Sequence, residues 1–121
     1  MINVCIADNF PVVHFGMKAY FKDHPEISIV SNVGNFFMVP DALRNKEIDV
    51  LIIDLELEGL KSIYEVKSII RNFPKTKVIV FSSLSEHIYA PNAIKAGCAG
   101  YVHKTSKLEN LGITIVKVNQ G

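Results

Sequence analysis

Along the chain, short apolar runs alternate with longer mixed segments, and three of the runs end on a residue that handles charge. Val4-Cys5-Ile6-Ala7 leads into Asp8, Val50-Leu51-Ile52-Ile53 into Asp54, and Val78-Ile79-Val80-Phe81 into Ser82 and Ser83. Runs that are apolar at consecutive positions and rich in β-branched residues predict strands buried on both faces, as in a parallel sheet under helices. The predicted strands are Asn3 to Ala7, Ile27 to Val33, Val50 to Asp54, Lys77 to Ser82 and Gly100 to His103.

The segments between them read as helices. Pro11 is placed to open the first, and Val12, Phe15, Met17, Ala19 and Tyr20 are expected to form its core-facing side. Phe36 to Asn45 predicts a second helix that is kinked at Pro40 or begins near it, because proline past the first turn removes a hydrogen bond and clashes with the preceding turn. Ile63, Val66, Ile69 and Ile70 recur at helical spacing within Ser62 to Asn72. Ile88 to Ala96 predicts a fourth helix containing Pro91, with Gly97 as its terminator. Ser106-Lys107-Leu108-Glu109 has the form of a capping box opening a fifth helix. Leu108, Leu111, Ile115 and Val118 hold the helical period of that helix through Gly112. The expected fold class is α/β: a five-stranded parallel sheet, doubly wound, with helices on both faces.

Parallel strands deliver their carboxyl ends to one edge of an open sheet, where such folds place their sites. Asp8, Asp54 and Ser82 are therefore expected to share one crevice. Two facing carboxylates repel unless a cation lies between them, and oxygen-only ligands favour Mg²⁺ or a similar hard ion.

Composition narrows the function. A chain of 121 residues, 49% hydrophobic and 21% charged, fits one folded domain over residues 1–121. With 13 basic against 12 acidic residues and a net charge of +1, it has no electrostatic footprint for nucleic acid. No segment reaches the ~18–20 uninterrupted apolar residues of a membrane span, and no signal-peptide pattern opens the chain, so no membrane partner is expected. Cys5 and Cys98 lack metal or redox spacing, which suits buried free thiols and a cytoplasmic setting. His14, His24, His87 and His103 share no ligand spacing and are expected at the surface.

Ile6-Ala7-Asp8-Asn9-Phe10-Pro11, Phe15-Gly16, Ile53-Asp54-Leu55 with Gly59, Ser82, Ala96-Gly97, and Gly100-Tyr101-Val102-His103-Lys104 stand in order along the chain. Over its whole length the chain resembles the receiver domain of bacterial two-component response regulators. Within that family it is most similar to the NarL/LuxR-type regulators, which carry a C-terminal helix-turn-helix. The resemblance implies the (βα)5 flavodoxin-like receiver fold, with Asp54 accepting a phosphoryl group from a sensor histidine kinase. It implies Mg²⁺ held by Asp8, Asp54 and the backbone carbonyl of Glu56, with Lys104 as a second cation. Ser82 would bond the new phosphoryl group, and Tyr101 would turn inward as Ser82 moves. A second copy of the chain is a further candidate partner, and DNA would be reached only through a missing C-terminal output domain.

Three features depart from the family pattern. Asn9 stands where a second carboxylate is usual; its amide oxygen can still face the ion, but with one charge fewer Mg²⁺ should bind more weakly. Glu56 and Glu58 add negative charge beside Asp54, and Pro91 interrupts the fourth helix. Asn9 also motivates an alternative reading, a protein-interaction module that keeps the fold without depending on phosphate. A flavodoxin-like cofactor binder is disfavoured, because Asp8-Asn9-Phe10-Pro11 would repel a phosphate after the first strand.

Overall fold

The computed structural model describes residues 1–121. Its elements are β1 (Ile2–Ala7), α1 (Pro11–Phe21), β2 (Ile27–Val33), α2 (Val39–Asn45), β3 (Val50–Ile53), α3 (Ile63–Asn72), β4 (Lys77–Ser82), α4 (Glu86–Ala96), β5 (Gly100–His103) and α5 (Leu108–Gln120). The five strands form one parallel sheet in the order β2-β1-β3-β4-β5. The order reverses direction between β1 and β3, and crevices in such sheets open beyond the strand ends at that point.

Alternation along the buried strands divides the core between the two faces. Cys5, Ala7, Leu51, Ile53, Val78 and Val80 pack with Val39, Leu43, Val66, Ile69 and Ala93 of α2, α3 and α4. Val4, Ile6, Val50, Ile52, Ile79, Phe81 and Val102 pack with Met17, Phe21, Leu111 and Ile115 of α1 and α5. All of β3 is buried, and each of its large aliphatic side chains contributes about 1.5–3 kcal/mol relative to an exposed one. Cys5 and Cys98 are free and buried. Burial pushes the Cys98 thiol up to about 12, and pushes that of Cys5 up to about 11 against an opposing hydrogen bond with Ser31 and the charge of Lys46.

The expected face of α1 needs correction, while Pro40 and Pro91 stand as expected near the start of one helix and inside another. On α1 the core takes Met17 and Phe21 with half-buried Val13 and Tyr20; Val12 is 74% and Phe15 75% exposed, and Ala19 is exposed as well. The helix carries two apolar stripes and one sheet can bury only one. The segment from Phe36 begins as a 3-10 turn (Phe36–Met38), with the Met38 N–H donating to Asn35 Oδ1 at 3.1 Å, and α2 starts at Val39. Pro40 thus lies in the first turn of α2, where a missing N–H costs nothing. Pro91 is inside α4, which continues through it and ends at Gly97 with φ of 107°.

The Ser106–Glu109 capping box does not form. The Ser106 N–H is spent on the His103 carbonyl at 2.9 Å in the turn leaving β5. Lys107 becomes the cap position, one residue later than the box requires, and makes no side-chain cap bond. Gly112 stands where α5 crosses Phe21, and a β-carbon there would lie 3.2 Å from the Phe21 ring. The glycine that weakens the helix thereby lets α5 lie close against α1.

The β1–β2 pairing contains one irregularity. Val4 faces Ile29 and Cys5 faces Ser31, so Val30 is the extra residue of a bulge on the sheet edge. The ammonium of Lys46 donates to the Val30 carbonyl at 2.7 Å.

Candidate functional site

Asp8 and Asp54 are the first residues beyond β1 and β3, adjacent strands at the reversal point. Strand three ends at Ile53 rather than Asp54, although the Asp54 N–H still donates to the Ala7 carbonyl at 3.1 Å. Each carboxylate is 2% exposed. One oxygen of each is fixed by the backbone two residues on: Phe10 N–H donates to Asp8 Oδ1 at 2.9 Å and Glu56 N–H to Asp54 Oδ1 at 3.0 Å. Both remaining oxygens, Asp8 Oδ2 and Asp54 Oδ2, lie 2.8 Å from the ammonium of Lys104.

Lys104 follows β5, so a sequence separation of 50 residues is closed by strand order alone. Burial pulls its pKa down, but hydrogen bonds to Asp54 and Asp8 together with their charges outweigh that effect and hold the ammonium above its ordinary range. The Phe10 ring adds a cation–π contact, with its centroid 5.2 Å from the lysine nitrogen.

Ser82, the last residue of β4, is fully buried. Its hydroxyl accepts from the Leu84 N–H at 3.2 Å rather than bonding Asp54. Tyr101 of β5 is turned inward, and its hydroxyl donates to the Leu84 carbonyl at 2.8 Å. Burial raises the tyrosine pKa, the hydrogen bond with Ser82 opposes that, and the charges of Asp54 and Glu86 add to it. Serine, leucine and tyrosine thus form one unit joining the ends of β4 and β5.

Glu56 and Asn9 are brought together and bonded directly to each other. Asn9 Nδ2 donates to the Glu56 carbonyl at 2.9 Å, and Asn9 Oδ1 accepts from the Glu58 N–H at 2.7 Å. The carbonyl expected to face a metal is therefore bonded to the side chain expected to help hold it.

Sequence reasoning missed three participants. The Ser83 hydroxyl donates to Glu56 Oε1 at 3.2 Å, spanning the mouth of the crevice between the β3–α3 and β4–α4 connections. His103, expected as a surface histidine, is half-buried and bonded through both ring nitrogens. The Thr105 N–H donates to its Nδ1 at 3.1 Å, so the proton sits on Nε2, which donates to the Ser83 carbonyl at 3.0 Å. His14 Nε2 lies 2.8 Å from the Asp8 carbonyl, while its Nδ1 is buried without a partner. Scattered histidines carry no spacing signal; only strand pairing, which sets His103 beside Ser82, reveals the second of these.

An oxygen-rich crevice with a stand-in cation between two buried carboxylates has the donor chemistry of a hard-ion site. No third carboxylate, histidine or cysteine joins them. A hollow of about 590 Å³ lined by Arg44, Glu47, Asp49 and Thr76 lies at the opposite, amino-terminal edge of the sheet and shares none of these residues.

The fold agrees with what known proteins show. Residues 4–116 match the response regulator receiver domain, and the chain belongs to that family. It is 31% identical over 102 residues to the Fimbriae Z protein of Escherichia coli K12, an alignment covering 84% of this chain and 49% of that protein. It is 27% identical over 121 residues to the transcriptional regulatory protein LiaR of Bacillus subtilis, covering 100% of this chain and 57% of that protein. A LuxR-family DNA-binding response regulator from Staphylococcus aureus has a crystal structure that superposes with a TM-score of 0.86 at 26% identity, covering 98% of this chain and 99% of that one. The chain spans about half the length of the two relatives matched by sequence. No helix is long and apolar enough to cross a membrane.

Proposed function

We propose that residues 1–121 form a receiver domain that accepts a phosphoryl group on Asp54 from a sensor histidine kinase in the cytoplasm and passes the change to an output. The observation that carries this reading is the Lys104 ammonium held 2.8 Å from both Asp8 Oδ2 and Asp54 Oδ2. It places a fixed cation beside the nucleophilic carboxylate, where charge spreads over the phosphoryl oxygens during transfer.

Asp54 Oδ2 would attack the phosphorus of a phosphohistidine, the P–N bond would break, and an acyl phosphate would form on the aspartate. The Glu56 N–H keeps Oδ1 in place and so fixes the carboxylate plane during attack. Lys104 would exchange an aspartate oxygen for a phosphoryl oxygen, and the Ser82 hydroxyl would turn from Leu84 to donate to another. That turn strips the Leu84 N–H of its partner and loosens the unit Tyr101 belongs to, which carries the event toward α4. Bound Mg²⁺ would be held by Asp8 and Asp54, with the Glu56 carbonyl once Asn9 releases it, and would neutralise charge on the transferred group. The transcriptional relatives support an output that binds DNA through a segment beyond this domain.

The Asn9–Glu56 bond favours a second reading, an interaction module that works without phosphate. Incubation with Mg²⁺ and a small phosphodonor separates the two. The protein should gain one acid- and base-labile phosphoryl group by intact mass, and Asp54→Ala none. Full labelling of Asp54→Ala would move the acceptor elsewhere, and no labelling of either protein would favour the interaction module.

A further inference from the structure

Asn9 follows Asp8 directly in the β1–α1 connection, and its carboxamide reaches across to two backbone groups of the β3–α3 connection. The orientation of that amide is fixed by its partners. Its nitrogen meets the Glu56 carbonyl and its oxygen meets the Glu58 N–H; reversing it would set acceptor against acceptor at 2.9 Å and donor against donor at 2.7 Å. Between the two bonded residues lies Leu57, 2% exposed and part of the core under α2, α3 and α4. The Glu58 carbonyl in turn accepts from the Phe36 N–H at 2.8 Å. The loop carrying Glu56 is thus held from both sides and from below by the chain's own groups, while Lys104 holds the two carboxylates.

We infer that the Asn9 carboxamide is an intrachain substitute for a metal at the Glu56 carbonyl: it helps position the β3–α3 connection without a metal and competes with a divalent cation for that oxygen. The inference rests on reading the crevice as a phosphoacceptor site, and it makes Asn9 a positioning residue whose role differs in kind from weak ligation. A side chain that ligates weakly helps the ion when present. A side chain that occupies a ligand's lone pair hinders it. An aspartate at position 9 could still accept from Glu58 but would have no donor for the Glu56 carbonyl, so it would release that oxygen and add a charge at once.

The two roles give opposite signs for Asn9→Ala. Mg²⁺ titration calorimetry at fixed ionic strength would be run on the full chain, on Asn9→Ala and on Asn9→Asp. In parallel, exchange of the Glu58 amide would be followed by NMR in metal-free buffer. Asn9→Ala should bind Mg²⁺ about two- to tenfold tighter than the native protein, the span of one net hydrogen bond. Asn9→Asp should bind more tightly than both, because hard cations prefer charged oxygens. The Glu58 amide should exchange about two- to tenfold faster in Asn9→Ala. Weaker Mg²⁺ binding by Asn9→Ala would make Oδ1 a ligand and overturn the inference, and unchanged Mg²⁺ affinity or unchanged exchange at Glu58 would overturn it as well. Absence of Mg²⁺ binding in all three proteins would overturn the competition; phosphodonor labelling of Asp54 on the same samples then shows whether the phosphoacceptor reading has failed with it.

Discussion

On the β1–β3 side of the crevice, bonds from Asp8, Asn9 and Asp54 run to backbone groups of loops that leave buried, directly paired strands. On the β4–β5 side, bonds from Ser82, Tyr101 and His103 run to Leu84 and Ser83, at the entrance to a helix that buries only Ala93. The first half rests on core and holds its charges in place. The second half rests on α4, which contains Pro91 and leaves Ile88, Tyr89 and Ile94 exposed. On the proposed reading, chemistry uses the rigidity of one side and transmission the compliance of the other, since a population shift requires two arrangements of similar free energy.

The largest test of this contrast is Lys104→Ala, which leaves two buried carboxylates facing each other. It should destabilise the protein by about 3 kcal/mol at pH 7, the low end for a broken buried ion pair, measured by urea unfolding. The pH dependence follows from the raised lysine pKa. Its share of stability is complete below the unfolded value of about 10.4 and is lost as pH rises through the folded value. Tyr101, also raised, penalises folding in the same alkaline direction from about pH 10 upward. The native unfolding midpoint should therefore fall across that range, and Lys104→Ala combined with Tyr101→Phe should fall less.

Pro91→Ala probes the compliant half. Restoring an N–H donor in the interior of α4 should raise stability by about 1–3 kcal/mol, read from thermal unfolding, and should slow amide exchange within Glu86–Ala96. An unchanged protein would mean that α4 owes its softness to its exposed surface rather than to the proline. Tyr101→Phe removes one partly buried hydrogen bond and should cost about 1 kcal/mol. Its effect on amide exchange should centre on Ser83 to Ala90 and leave the Asn9–Glu58 region untouched; spread into that region would erase the distinction between the halves.

Most of this arrangement could be read from the chain because buried parallel strands write themselves as uninterrupted apolar runs. Asp8, Asp54 and Ser82 were legible from their places at or just past the ends of such runs, and Lys104 only through the resemblance to receiver domains. Helix faces were less so. Val12 and Phe15 have the composition of core, and only the sheet's position decides that Met17 and Phe21 are buried in their place. Ser106 and Glu109 have capping-box spacing, but a turn claims the serine first. Asn9 was visible as a missing charge, while its actual bonds depend on how close two loops come and so lie outside any local pattern.

The bulge at Val30 has a consequence for how copies of this protein meet one another. β2 is an outer strand, and an outer strand with free backbone groups invites a strand from another molecule to extend the sheet. Val30 breaks the regular spacing of those groups, and the Lys46 ammonium already holds its carbonyl. An incoming strand would find its register interrupted and a positive charge in its path, so this margin resists the templated stacking that begins fibrils.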